Sequence, residues 1–539
     1  MKFLSVLLSL LCMTMLISCD RVLEEDLYKE QTVEEENIFD AKPLKILMNS
    51  KYNNYGPDLI MGWNMTSKFH NILDEIGLLC EETFGYNIEF ISFPDSGASN
   101  EYLVALQAGL EFDLIFPTKV YTHVATQGDN ALYYFWNDEF IEMYMDLSPY
   151  LNTYAPEVYM HMQSFDYVMD YITRNDKVYA MYAGVPDVGY NNVLVKNEIL
   201  QKYNVSGIEN FTDLFGLMEA FDMDLELTDN NKIMSSGNSL LEYAMNKAGY
   251  YPVNQCRPGS IVCKLDDPHL EPYLIEDTNI LDVFFEEFSP FFDRSYFQCS
   301  TNEGFQSLYT QDGVDMYMNA YVSHLFYWDQ NQGENPWNTY TLCVLDQDQP
   351  VVKNFDSIQL IPVPYTCTQP EKAISFVNWL FTDEDVGQLL TFGTDKGKYP
   401  GYKTTSDGKI TYEQNTHTVY LLDNLLANFS DRLFPFDNKS MDQSKDYIAL
   451  AQKAIYPPLY RFLETNHNEN MRSFELMGMS YYNNLVMKQR EEYINSSIRL
   501  LFEDPKAVTA HEMKTTLDSM TDKDTALRNY KDFVEKLFR

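Results

Sequence analysis

The stretch "VDMYMNAYVS", residues 314–323, is apolar enough to be a buried strand, yet it places Asn319 and Tyr321 two positions apart. Successive strand side chains alternate faces, so this amide and this phenol share one face. Buried polar groups must find partners. The pair suits a hydroxylated ring, the amide bonding its edge and the phenol covering its apolar face. It suits equally well the satisfaction of neighbouring backbone. A second residue with chemistry of its own is Cys19, which closes the first apolar run in "LISCD". Bond-breaking chemistry is harder to place. Glycoside hydrolysis needs two carboxylates at a set separation, and among 80 acidic residues such a pair arises by chance. There is no Gly-x-Ser-x-Gly elbow, His-Glu-x-x-His pair or Gly-rich phosphate loop, and 8 His leave few bases. "TQDGVD" and "LTDNN" hint at calcium loops but lack full EF-hand spacing. No enzyme, metal or cofactor is expected.

A chain of 539 residues is too long for one small domain and implies two lobes or domains. Its 40 Tyr and 34 Phe can fill a large core. With 39 basic against 80 acidic residues the formal charge is −41, a surface that repels phosphate backbones and excludes a nucleic-acid partner. Beyond Cys12 and Cys19 stand Cys80, Cys256, Cys263, Cys299, Cys343 and Cys367, none at Cys-x-x-Cys spacing. Cys256 and Cys263 are close enough for a loop bridge. Buried free thiols are expected for most of the six.

The elements that must position these groups alternate. "PLKILMNS" (43–50) reads as a buried strand, and 67–85 as a helix closed by Gly85. "YNIEFISFP" is a strand, "NEYLVALQAGL" a helix and "FDLIFPT" a third strand. That order belongs to an α/β lobe with a largely parallel sheet. Asn210 is the expected N-cap of "NFTDLFGLMEAF", and Thr368 with Glu371 has capping-box spacing, Pro370 lying in the first turn. Trp136 and Trp379 sit at helical apolar positions and are assigned to core. From about residue 443 the text is helical.

Two resemblances follow. Leu16-Ile17-Ser18-Cys19, after Lys2 and an apolar run too short to span a bilayer, resembles the lipobox of bacterial lipoproteins. It implies cleavage of residues 1–18, a lipidated Cys19 and an acidic tether over 19–42, hence an extracytoplasmic protein anchored to the bacterial cell membrane. Further along, "EYLVALQAGLEFDLIF" (with Gly109 and Asp113), "MDLSPYL", "DKVYAMYAG", "VLVKNEILQKYNV", "NFTDLFGLMEAF" and "QPEKAISFVNWLFTDE" keep a familiar order over residues 43–410. They are similar to motifs of the family 1 extracellular solute-binding proteins, the sugar-capturing lipoproteins of ATP-driven importers. The chain departs from them at Phe211, Asn197 and Glu198.

That resemblance implies an α/β, two-lobed type II periplasmic-binding-protein fold, like maltose-binding protein, with a hinge between lobes and a helical C-terminal region. Lobe 1 is expected to hold 43–155 plus 355–420, and lobe 2 156–354 plus 421–539. It implies carbohydrate capture and delivery to the permease subunits of an ABC transporter. A non-transport glycan-binding or sensor lipoprotein, or a carbohydrate-active enzyme, is the alternative, and a peptide or polyamine ligand stays open. Ligands in α/β lobes sit at the carboxyl ends of strands. The candidate contacts are therefore Trp63, Thr118, Tyr121, Tyr190, Asn192, Ser236, Asn238, Asn319, Tyr321 and Tyr460. For each aromatic, ordinary core packing is the competing assignment.

Overall fold

The apolar run "LKILMN" is a strand with both faces covered, as the middle of a parallel sheet requires. The computed structural model describes residues 39–49, 67–93, 109–115, 118–120, 143–184, 188–189, 191–224, 231–253, 261–299, 315–318, 339–353, 358–383, 385–386, 389, 403–404, 410–411, 449–458, 485–520 and 523–537. In it β1 (Leu44–Asn49), α1 (Ser67–Phe84), β2 (Ile88–Phe93) and β3 (Leu114–Ile115) build a parallel sheet of order β2-β1-β3. Leu44, Ile46 and Leu47 are fully buried. α1 stops at Gly85, whose φ of 75° puts its N–H 2.9 Å from the Glu81 carbonyl. Only glycine adopts that turn without a Cβ penalty. Asp113, buried ahead of β3, accepts from the Lys45 N–H at 3.0 Å and from the Gln369 amide at 2.8 Å.

After β4 (Thr118–Val120) come α2 (Ser148–Tyr154), α3 (Pro156–Gln163) and α4 (Asp166–Ile172). A hairpin of β5 (Thr173–Arg174) and β6 (Lys177–Val178) follows, turned by Asn175 and Asp176 at positive φ. All three helices bury apolar residues against the first sheet's core, among them Leu151, Val158, Met162 and Val168.

β7 (Val188–Gly189) and β8 (Asn192–Lys196) then lead to α5 (Asn197–Lys202), α6 (Phe211–Asp224), β9 (Ile233–Ser235) and α7 (Gly237–Lys247). The expected cap on α6 is present: the Asp213 N–H donates to Asn210 Oδ1 at 2.9 Å. Next come β10 (Tyr250–Pro252), β11 (Ile261–Lys264), β12 (Tyr273–Leu274), α8 (Ile280–Asp293), β13 (Phe297–Cys299), β14 (Met316–Met318) and β15 (Tyr340–Val344). A five-stranded sheet has the order β13-β9-β14-β8-β15. Its core is aromatic, because α8 turns Phe284, Phe288, Phe291 and Phe292 inward. Phe211 meets Phe288 edge-on at 5.1 Å, and Phe297 stacks on Phe291 at 4.9 Å. Each such ring contributes roughly 1.5–3 kcal/mol by burial.

The return path runs through β16 (Val352–Lys353), antiparallel to β7, and β17 (Ile358–Leu360), antiparallel to β4. Then come α9 (Pro370–Thr382), α10 (Leu485–Leu501), α11 (Ala510–Ser519) and α12 (Lys523–Leu537). Among the described residues the chain leaves the first core after Val188 and joins the second at Val193; Tyr251, Cys263, Leu265 and Leu270 touch the first core on the way, and Val352 returns to it.

The first core takes in residues of helices α3 and α4. Residues of the C-terminal region join both cores: Ala451, Tyr456, Tyr530 and Val534 the first, Ile494, Ile498, Met513 and Leu517 the second. One expectation needs correction. The capping box at Thr368 and Glu371 does not form. Gln369 is the N-cap residue of α9, and its side chain reaches away to Asp113 and the Pro43 carbonyl. A complete capping box does close α11, between Thr509 and Glu512.

Two buried cations fasten the chain's outer segments. Lys372 on α9 gives Nζ to the carbonyls of Asp40 and Lys42 and to Asp40 Oδ1, at 2.7–3.0 Å, over the Tyr86 ring. Arg490 on α10 holds both oxygens of Glu276 through Nη2 and the Leu517 carbonyl through Nη1. Trp379 lies in the core as expected, edge-on to Phe84. Cys80, Cys263, Cys343 and Cys367 are free and buried. Burial pushes the thiols of Cys80, Cys263 and Cys367 up to about 12. No described helix is long and apolar enough to cross a membrane.

Candidate functional site

Strands β9, β13 and β14 run parallel, while β8 lies antiparallel to both β14 and β15. The carboxyl ends of four strands therefore collect along one edge, together with the amino end of β8. Register places Cys299 beside Ser235, Met318 beside Val193, and Val344 beside Asn192. Such an edge is where an α/β sheet presents its loops to a ligand.

The polar groups along it are amides and hydroxyls. Asn192 is 2% exposed and Ser235 is 1% exposed, while Ser236, Asn238 and Ser239 in the turn into α7 are half-buried. The Ser235 hydroxyl donates to the Ser236 carbonyl at 3.2 Å. The Ser236 hydroxyl accepts the Ser239 N–H at 3.1 Å and lies 2.7 Å from Ser239 Oγ. It is the N-cap of α7, which fixes the turn rather than leaving the hydroxyl idle. Asn238, one residue into the helix past Gly237, is the group of this turn with its amide still to spend among the described residues. Burial raises the Cys299 thiol at the same edge, with Arg499 partly opposing the shift. It stays protonated at neutral pH and is a poor nucleophile. Of these groups, the Asn238 amide could give a hydroxylated molecule a neutral hydrogen bond.

The opposite end of this sheet shows what a purely structural carboxylate looks like. Asp315, ahead of β14, takes Lys196 Nζ at 2.7 Å and Asn231 Nδ2 at 2.5 Å, tying β14 to β8 and to the start of β9. Where the chain leaves the first core, His161 on α3 donates Nε2–H to the Gly184 carbonyl at 2.7 Å and packs against Phe165 and Phe381. Among the described residues no cluster of His, Cys, Asp and Glu is placed to ligate a metal.

Of the ten candidate contacts, Asn192, Ser236 and Asn238 fall together at this edge. Thr118 opens β4, paired with Leu360, and its side chain is outside the description. Trp63, Tyr121, Tyr190, Asn319, Tyr321 and Tyr460 lie outside the described residues, as do Cys19, Trp136 and Cys256. Ser235 and Cys299 were missed by the sequence reading. Their signal was their place as last residues of short buried strands.

No protein-family model matches the sequence, and no curated protein sequence matches it. Solved structures do. An N-glycan transport solute binding protein from Streptococcus pneumoniae aligns over 92% of this chain and 99% of that one, at 14% identity and a TM-score of 0.57. The same pneumococcal protein in complex with Man1GlcNAc covers the same shares at 14% identity, with a TM-score of 0.49. A family 1 extracellular solute-binding protein from Alicyclobacillus acidocaldarius aligns over 93% and 100% at 10% identity, with a TM-score of 0.46. At such identities a likeness speaks of architecture, and the first of these carries it: the chain has the mixed α/β, two-lobed fold of the solute-binding proteins.

Proposed function

We propose that this chain is an extracytoplasmic lipoprotein that captures a carbohydrate, most simply an oligosaccharide, and delivers it unaltered to the permease subunits of an ABC transporter. The observation that carries the reading is the end of the five-stranded sheet along which Asn192, Ser235, Ser236 and Asn238 lie, within a fold used for solute capture. Sugars offer hydroxyl edges to amides and apolar faces to rings. Asn319 and Tyr321, which follow β14 in the sequence, are further ligand contacts in this proposal.

Anchoring at Cys19 in the bacterial cell membrane completes the reading, supported by the lipobox-like "LISC". Cys19→Ala is expected to release the protein from the membrane fraction, and an uncut variant that stays membrane-bound would remove the lipid anchor from the proposal.

The test of capture is a thermal-shift screen of the mature chain against oligosaccharides, with Man5GlcNAc and maltooligosaccharides among them. A ligand that binds only the folded state raises the melting temperature by mass action. No shift with any glycan, or slow release of a hydrolysed product, would overturn it.

A further inference from the structure

Gly237, the first residue of α7, has no positive φ to explain it. It is explained by space. A Cβ there would stand 2.8 Å from Ile498 Cγ2, with Ile498 Cβ at 3.7 Å and Phe502 Cε2 at 3.8 Å. Ile498 cannot simply turn aside: a β-branched residue on a helix holds one χ1 rotamer, and this one is 1% exposed. Its helix cannot easily slide either, because Arg490 on the same helix is locked to Glu276 and Leu517. The end of this helix also reaches β13. Phe502 packs on Phe292 at 5.2 Å and on Phe297 at 6.2 Å, and Phe297 opens the strand whose last residue, Cys299, pairs with Ser235. One helix end thus rests against both the turn after β9 and the neighbouring strand.

We propose that the contact between Gly237 and Ile498 sets the position of the Ser235–Asn238 turn, making the C-terminal helix α10 a positioning element of the ligand site. The proposal rests on the capture reading for what the site does, and on geometry alone for where the turn stands. Gly237 lets α7 start in direct contact with α10, so that Ser236 caps the helix and Asn238 is delivered to the sheet edge. A methyl group at 237 forces the two helices apart there and carries Ser236 and Asn238 with it.

The experiment compares full-length Gly237→Ala, Gly237→Ala/Ile498→Ala and Gly237→Ala/Ile498→Val with wild type. It uses amide hydrogen exchange over residues 235–239 and titration with Man5GlcNAc. Gly237→Ala is expected to speed exchange at the Ser239 amide and to weaken glycan binding, each by about tenfold, the scale of one displaced hydrogen bond. Ile498→Ala removes the obstructing methyl and restores both readouts. Ile498→Val keeps a γ-methyl at that position and does not. A variant that lost function through a general loosening of the fold would not be repaired by opening a further cavity.

Wild-type exchange and affinity in Gly237→Ala, or equal behaviour of the two double variants, would overturn the proposal. If Gly237→Ala fails to fold, folding and slow exchange regained only in the Ile498→Ala double variant support it. If wild type takes no Man5GlcNAc, the capture reading loses that ligand, and the exchange comparison still decides the position of the turn.

Discussion

Lys372 and Arg490 do the same job at opposite ends of the chain, and they do it with different partners. The Lys372 side chain is 2% exposed, but its one carboxylate partner, on Asp40, is 74% exposed. Its other two partners are backbone carbonyls, which stay in place whatever residue stands at 40 or 42. The Arg490 side chain is fully buried and the Glu276 side chain is 2% exposed, so each charge depends on the other, the Leu517 carbonyl adding one neutral contact to Arg490. Arg490 Nε has no partner at all among the described residues. A buried ion pair is weak support for stability while intact and expensive to break, because the survivor is left charged and unpaired. The first core has therefore fastened its outer segment with a contact that tolerates the loss of one partner, and the second with a pair that does not.

That contrast can be broken most forcefully at Glu276. Glu276→Ala is expected to lower the unfolding free energy by about 3–5 kcal/mol in chemical denaturation. A loss under about 1 kcal/mol would mean that water reaches Arg490. The double change Glu276→Leu/Arg490→Met is expected to recover most of the loss, since matched apolar volume replaces a pair of charges at little cost. Lys372→Met keeps the stem and removes the ammonium, and is expected to cost about 1–3 kcal/mol, the range for unsatisfied polar groups near a surface. The Arg490 site has a further support that can be tested alone. Thr509→Ala removes the capping box of α11, whose Leu517 carbonyl Arg490 holds, and is expected to cost about 1 kcal/mol. Asp40→Asn should give the smallest change, and the pH dependence identifies it. The hydrogen bond from Lys372, helped by its charge, holds the Asp40 carboxyl below the usual carboxylate range. A depressed folded-state pKa contributes stability above the unfolded value, lost as pH falls through the folded one. The small difference between wild type and Asp40→Asn should therefore be complete at neutral pH and vanish in acid. A difference that grew in acid would reverse the sign of this contact.

These two clamps also mark where the sequence stopped being readable. Local rules served well where the cause was local. Gly85 ended α1, Asn210 capped α6, and the apolar run at 44–49 became a central parallel strand. Thr368 failed as a cap because Gln369 had a stronger use for its side chain in Asp113, 256 positions earlier. Nothing in the local pattern singles out Lys372 or Arg490, whose carboxylate partners lie more than two hundred residues away. Near the candidate site, Asn192 was named from its place beside a strand, and Ser236 and Asn238 from the family resemblance. Ser235 was hidden by its smallness, and Gly237 by the distance in sequence to Ile498.

The grip of Lys372 on Asp40 and Lys42 has a mechanical side. These carbonyls stand directly ahead of β1, the strand hydrogen-bonded on both sides by parallel neighbours. Tension arriving from the chain ahead of Phe39 meets the ammonium clamp first, and then Gln369, which holds the Pro43 carbonyl. What passes these two reaches β1 along its own axis, where all the ladder bonds to β2 and β3 share the load in shear instead of opening one at a time. If residues before Phe39 do lead to an anchor, thermal jostling of the membrane is taken up in the sheet of the first core, far along the chain from the edge at which Asn192 and Ser235 stand.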